Sequence, residues 1–284
     1  MILWDIENLG EGIMNRRNFI GKAGLGMAGL AASGLVDAAV GRPNNENLRV
    51  KRILSPELSG SKCSIIDEAV LSAGCSVPLS EHPEERLYYF LSGRGLMSIY
   101  EEAPQGDVYE IRQDTAVWLT PKVKHQIINT APYPLRFAVL MAEGGVAPEG
   151  ALSWSAVTQR GVEVKNPQIG AGQMTTYVFD EGSNPSKAEG LHLRIRDILL
   201  RRPQKFSNAE VLTIAPGRST RPHTHHDSEE NVYVLVGNGE FIWNDKAIPC
   251  EAGSCLSYPV GVVRCVRNNG DYPLSYICYS VFTA

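Results

Sequence analysis

The densest group of chemistry-bearing side chains is His223-Thr224-His225, followed after a short polar stretch by Glu229-Glu230. Residues two apart on an extended strand project from the same face. His223 and His225 therefore present two imidazoles on one side. Glu230 follows the turn residues His226-Asp227-Ser228 and opens the next strand, from which its carboxylate can return to the same point. Two imidazoles and one carboxylate suit one divalent transition metal, whether Fe, Mn, Ni or Zn. Glu229, one residue off, is expected by strand alternation to point outward into solvent rather than to act as a general base.

Such a site needs rigid strands around it. After residue 48 the chain has no long helical periodicity, and short apolar or alternating runs recur between Gly, Pro, Asn and Asp. Runs at 87–91, 116–119, 137–141, 232–236 and 275–281 read as strands of a sandwich or barrel. The two halves also resemble each other. Glu68-Ala69-Val70-Leu71 and the later Gly93-Arg94-Gly95 find counterparts in Glu210-Val211-Leu212-Thr213 and Gly237-Asn238-Gly239. Trp118-Leu119-Thr120-Pro121 matches Leu256-Ser257-Tyr258-Pro259. This self-similarity indicates a duplicated domain. The segment 148–200 joins the halves and is expected to add strands that pack on them.

The run from Gly217 through His223, His225 and Glu230 to Gly237 resembles the first motif of the cupin superfamily. Gly253, Pro259, Gly261 and Asn268 carry the second motif. The resemblance covers roughly residues 50 to 284 and is sharpest over 210–282. It implies an all-β chain of two cupin jelly-roll barrels in tandem. Residues 1–47 would be an N-terminal extension, 48–147 a cupin with a degenerate metal motif, and 148–284 a linker and a cupin with an intact one. It also implies a homodimer through the barrel edges, which would cover exposed strands.

Many cupins have a third histidine ligand where this chain has Arg264, which cannot ligate a metal. Three readings stay open. The site is a two-His, one-carboxylate triad with Arg264 beside the metal, gripping a substrate carboxylate; or His226 supplies the missing ligand; or the metal site has decayed and Arg264 pairs with Glu230. Tyr258, with Tyr233, Tyr279 and Trp243, either lines the pocket or belongs to the core.

The resemblance implies a metal-dependent enzyme acting on a small, carboxylate-bearing molecule, with Arg264 and Tyr258 as catalytic candidates. Oxygenase chemistry ranks ahead of isomerase or lyase chemistry, and the fold alone does not choose. Two alternatives differ in kind: a non-catalytic exported binding protein for a small molecule, and a metal-free epimerase with His223 or His225 as base.

The first half is poorer in ligands. His82 survives from the histidine pair, Arg86 stands where Glu230 stands, and His125 and Asn129 remain from the second motif. His82, Glu85 and His125 could converge on a metal, against the plainer reading of a structural barrel.

The net charge of −4 and the absence of a basic block exclude nucleic acid as an expected partner. Asn15-Arg16-Arg17-Asn18-Phe19 and the Gly- and Ala-rich run over 23–40 resemble a twin-arginine export signal, with Met14 as a candidate start. That run is too short and weakly apolar for a stable membrane span. The resemblance implies a folded protein exported to the periplasm or beyond, against an amphipathic helix in a cytosolic protein. Of the six cysteines none forms a C-x-x-C pair. They would make one or two disulfides in an exported protein, or pack as small apolar residues.

Overall fold

The structure, a computed structural model, describes residues 47–100, 106–143, 162–165, 176–179, 193–197 and 205–283. The twin-arginine-like segment lies outside the described residues. Among those described, no helix is long and apolar enough to cross a membrane.

The first half contributes β1 (Leu48–Leu54), β2 (Ser64–Leu71), β3 (Arg86–Ser92), β4 (Arg94–Tyr100), β5 (Asp107–Arg112), β6 (Ala116–Leu119), β7 (Lys124–Asn129) and β8 (Leu135–Ala142). One helical turn, Pro56–Ser59, interrupts them. The second half contributes β12 (Phe206–Ile214), β13 (Ser228–Val236), β14 (Asn238–Trp243), β15 (Lys246–Glu251), β16 (Cys255–Tyr258), β17 (Arg264–Arg267) and β18 (Leu274–Phe282). Between them lie β9 (Val162–Lys165), β10 (Thr176–Phe179) and β11 (Leu193–Asp197). All five expected strand runs fall inside these elements.

Each half is a six-stranded sheet facing a three-stranded one. The orders are β1-β2-β8-β3-β6-β9 over β5-β4-β7, then β10-β11-β12-β18-β13-β16 over β15-β14-β17. Thus β9 joins the first large sheet, and β10 and β11 join the second. This is the fold of two cupin jelly rolls in tandem.

Strand alternation explains where the core sits. On β3, Tyr88 and Phe90 point into the first barrel with Phe137, Val139 and Met141 of β8. On β13 and β18, Val232, Val234, Leu274 and Tyr276 fill the second barrel. The other face of each large sheet is apolar too. Leu87, Tyr89, Ala138 and Leu140 meet Tyr233, Ile277, Tyr279 and Val281 in one buried seam. The large sheets pack back to back, so their inner strands are covered on both faces and read as continuous apolar runs.

The repeated Gly-x-Gly has a local cause. Gly93 and Gly237 have φ of 94° and 89°, which glycine adopts without a Cβ penalty. Gly95 and Gly239 lie where an added Cβ would run into the carbonyl oxygens of Ile128 and Arg267. The motif lets the chain leave the large sheet and start the small one. The asparagines of the second motif are clamps: Asn129 Nδ2 donates to the Leu71, Ser72 and Tyr133 carbonyls, and Asn268 Nδ2 to those of Ile214 and Tyr272.

All six cysteines are free thiols. Cys250, Cys255 and Cys278 lie in apolar cores, and burial pushes the Cys250 thiol up to about 12. This is the packed-residue reading.

Candidate metal centre

His223 and His225 sit on the extended segment leading into β13, and Glu230 is the third residue of that strand. His223 pairs its backbone with Arg264: each amide nitrogen donates to the other's carbonyl at 3.0 Å. That bridge holds the histidine segment against β17 and sets Arg264 opposite His223. Glu230 pairs with Tyr258 on one side and Ser280 on the other.

The three ligand atoms of His223, His225 and Glu230 lie within 4.8 Å of one another. Both imidazole Nε2 atoms are 3.5 Å from Glu230 Oε2. His223 Nδ1 is 2.8 Å from the Arg221 carbonyl, and a carbonyl only accepts, so Nδ1 carries a proton; Nε2 donates to Glu230 when the ring is charged and presents its lone pair when it is neutral. His225 Nδ1 lies 3.4 Å from Ser228 Oγ and 3.5 Å from Ser280 Oγ. Such outer partners orient metal-binding imidazoles. His226 is exposed and outside this group, which removes it as the missing ligand.

Arg264 is buried and donates from Nε to Glu230 Oε2 at 2.7 Å. Its Nη1 reaches the Val262 carbonyl at 3.4 Å, while Nη2 is buried without a hydrogen-bond partner among the described residues. The guanidinium carbon lies 5.9 Å from the Tyr258 ring centroid, within cation–π range. Tyr258 meets the pocket with its ring, because its hydroxyl donates to the Cys265 carbonyl at 3.4 Å.

Burial works to raise the Glu230 carboxyl. The hydrogen bond from His223 and the positive charges of Arg264 and His225 outweigh it and hold the group at about 2. The Glu230 hydrogen bond raises His223, and burial lowers His225. Glu230 is thus an anion at neutral pH facing two imidazoles, a donor set that fits a divalent cation.

These residues line a cavity of about 290 Å3. Its wall includes Asn208, Glu210, Tyr276 and Cys278, which sequence reasoning missed. The signal was present: they share the barrel-facing phase of β12 and β18 with Leu212 and Leu274.

Two other expectations change. Glu229 is 2% exposed, not solvated. It faces the seam between the sheets and accepts hydrogen bonds from Ser61 Oγ, Ser64 Oγ and the Lys62 amide of the first half. Outward from its own barrel means inward to the seam. Glu85 likewise does not converge with His82 and His125, because its carboxylate takes the Trp118 indole N–H at 2.7 Å and the Lys205 amide at 3.0 Å.

In the first barrel Ser80 pairs with His125 as His223 pairs with Arg264, and Arg86 pairs with Leu119 and Met141 as Glu230 pairs with Tyr258 and Ser280. An imidazole stands where the second barrel has its cation, and a cation where it has its carboxylate. His125 holds its Nδ1 proton on the Val123 carbonyl, and its Nε2 lies 2.7 Å from the Tyr88 hydroxyl. With that lone pair engaged and a guanidinium at the carboxylate position, the donor set does not suit a metal.

Burial, then Arg86, then His125 depress His82 to about 2. Burial, reinforced by Arg86 and opposed by the Val123 carbonyl, depresses His125 to about 4. The unfolded chain takes up protons on both near the ordinary value of 6.5. Stability is therefore expected to fall as pH drops below about 6.5, by about 1.4 kcal/mol per pH unit for each histidine. The His125 contribution would end near 4 and the His82 contribution near 2. Urea titrations from pH 7 to 5 would show this, and the slope should flatten in His82→Gln with His125→Gln; an unchanged slope removes the pair as its cause.

The fold is that of two cupin barrels in tandem, and the second barrel holds a His-His-Glu cluster. Comparisons with known proteins agree. Residues 210–280 match the family model described as the cupin domain. Among curated relatives, an uncharacterized protein of Methanocaldococcus jannaschii is 28% identical over 88 residues, 31% of this chain and 66% of that protein. The oxalate-binding protein of Thermotoga maritima is 26% identical over 91 residues, 32% of this chain and 73% of that one. Among solved structures, a putative glyoxylate-induced protein from Pseudomonas aeruginosa has TM-score 0.64 at 15% identity, covering 83% of this chain and 80% of that one. The Lactobacillus farciminis oxalate decarboxylase formate complex has TM-score 0.63 at 14% identity, covering 84% and 82%. At these identities the structural likeness shows the fold.

Proposed function

We propose that the second barrel binds one divalent transition metal through His223, His225 and Glu230, and acts on a small carboxylate held beside it by Arg264. The carrying observation is the buried Arg264, which lines the cavity: Nε is fixed on Glu230, while Nη2 has no hydrogen-bond partner among the described residues. A buried donor left unpaired costs about 1–3 kcal/mol, and a ligand carboxylate would satisfy it. When bound, the metal would supply Lewis-acid or redox chemistry. The chain's own part is to orient the ligand, with Arg264 braced by Glu230 and the Tyr258 ring. Oxalate is a suitable probe, given the oxalate-binding relative. Oxygenase chemistry ranks first and lyase or isomerase chemistry second. The twin-arginine-like residues support export of the folded protein, and dimerisation through barrel edges belongs to the same proposal.

One observation favours binding without turnover. The Tyr258 hydroxyl is committed to a backbone carbonyl and the Glu230 carboxylate to Arg264, so neither offers a free proton donor. Calorimetry with sodium oxalate on metal-loaded protein tests both readings. Arg264→Leu is expected to weaken binding at least tenfold, the scale of about 1.5–3 kcal/mol for hydrogen bonds to a charged group, with metal retained. Equal affinity in wild type and variant would overturn the role of Arg264. Full affinity after Glu230→Ala would favour the metal-free binding reading, and dioxygen uptake or carbon dioxide release would mark turnover.

A further inference from the structure

The first barrel holds a second buried guanidinium, and it is less satisfied than the first. Arg86 is 1% exposed. Its Nη2 contacts Glu84, while Nε and Nη1 are both buried with no hydrogen-bond partner among the described residues. Around it stand His82, 5% exposed, His125, 3% exposed, and the fully buried Tyr88. The His82 and His125 rings are 5.3 Å apart. The Tyr88 hydroxyl, which donates to His125, also faces the guanidinium.

The surroundings offer little negative charge. Among the described residues Glu84 is the one acidic side chain paired with the guanidinium, with its own side chain 13% exposed. Glu85, the next residue, turns to the seam. Both imidazoles are held neutral, so neither competes for an anion and neither repels Arg86. A buried cation with two open donors is costly unless an anion or an equivalent acceptor completes it.

We propose that the buried cluster of Arg86, His82 and His125 in the first barrel is an anion site for a small monocarboxylate, distinct from the metal centre of the second barrel. The two barrels then use one scaffold for opposite charges. Glu230 at its strand position draws a cation, and Arg86 at the matching position draws an anion. The proposal does not depend on a metal in the second barrel.

The test is histidine-ring NMR on chelator-treated full-length protein titrated with sodium formate, the smallest carboxylate. His82 and His125 report the first barrel, and His223 and His225 report the second, so the two sites read out separately. A saturable shift of the His82 and His125 ring signals is expected. It should be lost in Arg86→Gln and should saturate at several-fold lower formate in Glu84→Gln, where the competing carboxylate is gone. No shift of His82 and His125 in the wild-type protein would overturn the proposal without recourse to any variant. So would a shift that persists unchanged in folded Arg86→Gln.

Discussion

Replacing Glu229 with alanine is expected to lower the unfolding free energy by several kcal/mol, more than any single change at the metal centre. The carboxylate accepts from Ser61 Oγ at 2.5 Å, from the Lys62 amide at 2.8 Å, and from Ser64 Oγ. The Cys63 amide adds a longer contact at 3.3 Å. Every one of these donors belongs to the first barrel, and Glu229 to the second. Truncation would leave them in a seam that water does not reach, at about 1–3 kcal/mol for each unsatisfied group. The loss is asymmetric: Glu229→Leu combined with Ser61→Ala and Ser64→Ala removes donors along with the acceptor and should cost less than Glu229→Ala alone. Urea unfolding followed by circular dichroism measures both. A change below about 0.5 kcal/mol, the range of ordinary surface substitutions, would mean that the seam does not depend on this carboxylate.

The second large effect is on metal content. Protein folded in the cytoplasm is expected to carry close to one equivalent of a transition metal by elemental analysis, and His225→Ala or His223→Ala to carry less than about a tenth of that. Loss of an outer partner alone typically weakens metal affinity about 10–100-fold, and loss of a ligand should exceed it. Arg264 provides the counter-test. Its Nε shares Glu230 Oε2 with the prospective metal, so the positive charge opposes the cation. Arg264→Leu should therefore retain or tighten metal binding while losing oxalate affinity. Wild type without metal, and Arg264→Leu also without it, would leave the His-His-Glu cluster as a decayed site.

Much of this architecture was legible from local patterns. Period-two alternation with Gly, Pro, Asn and Asp breaks marks the strands, because a pleated strand has side chains on alternate faces. The repeated Gly93-Arg94-Gly95 and Gly237-Asn238-Gly239 mark the passage between sheets, because only glycine tolerates the φ and the close backbone approach found there. His223, His225 and Glu230 were legible as one cluster, since their spacing depends on one strand and one turn.

Three features needed the tertiary structure. Alternation says that Glu229 faces away from Glu230; it does not say that a second sheet covers that face. Burial of Glu229 and Glu85 follows from the back-to-back packing of the barrels, a contact between residues more than a hundred positions apart. Arg264 could grip a substrate or pair with Glu230 as far as sequence shows. The fold brings Nε onto the carboxylate and leaves Nη2 open, because the backbone bridge to His223 fixes where its side chain starts. Finally, the residues name a histidine pair and an arginine in the first barrel. Only their burial, with His125 bonded to Tyr88 and Arg86 left with two open donors among the described residues, turns a failed metal motif into a buried, positively charged cluster. Sequence fixes which groups a strand can present, whereas long-range packing decides which solvent or partner each one meets.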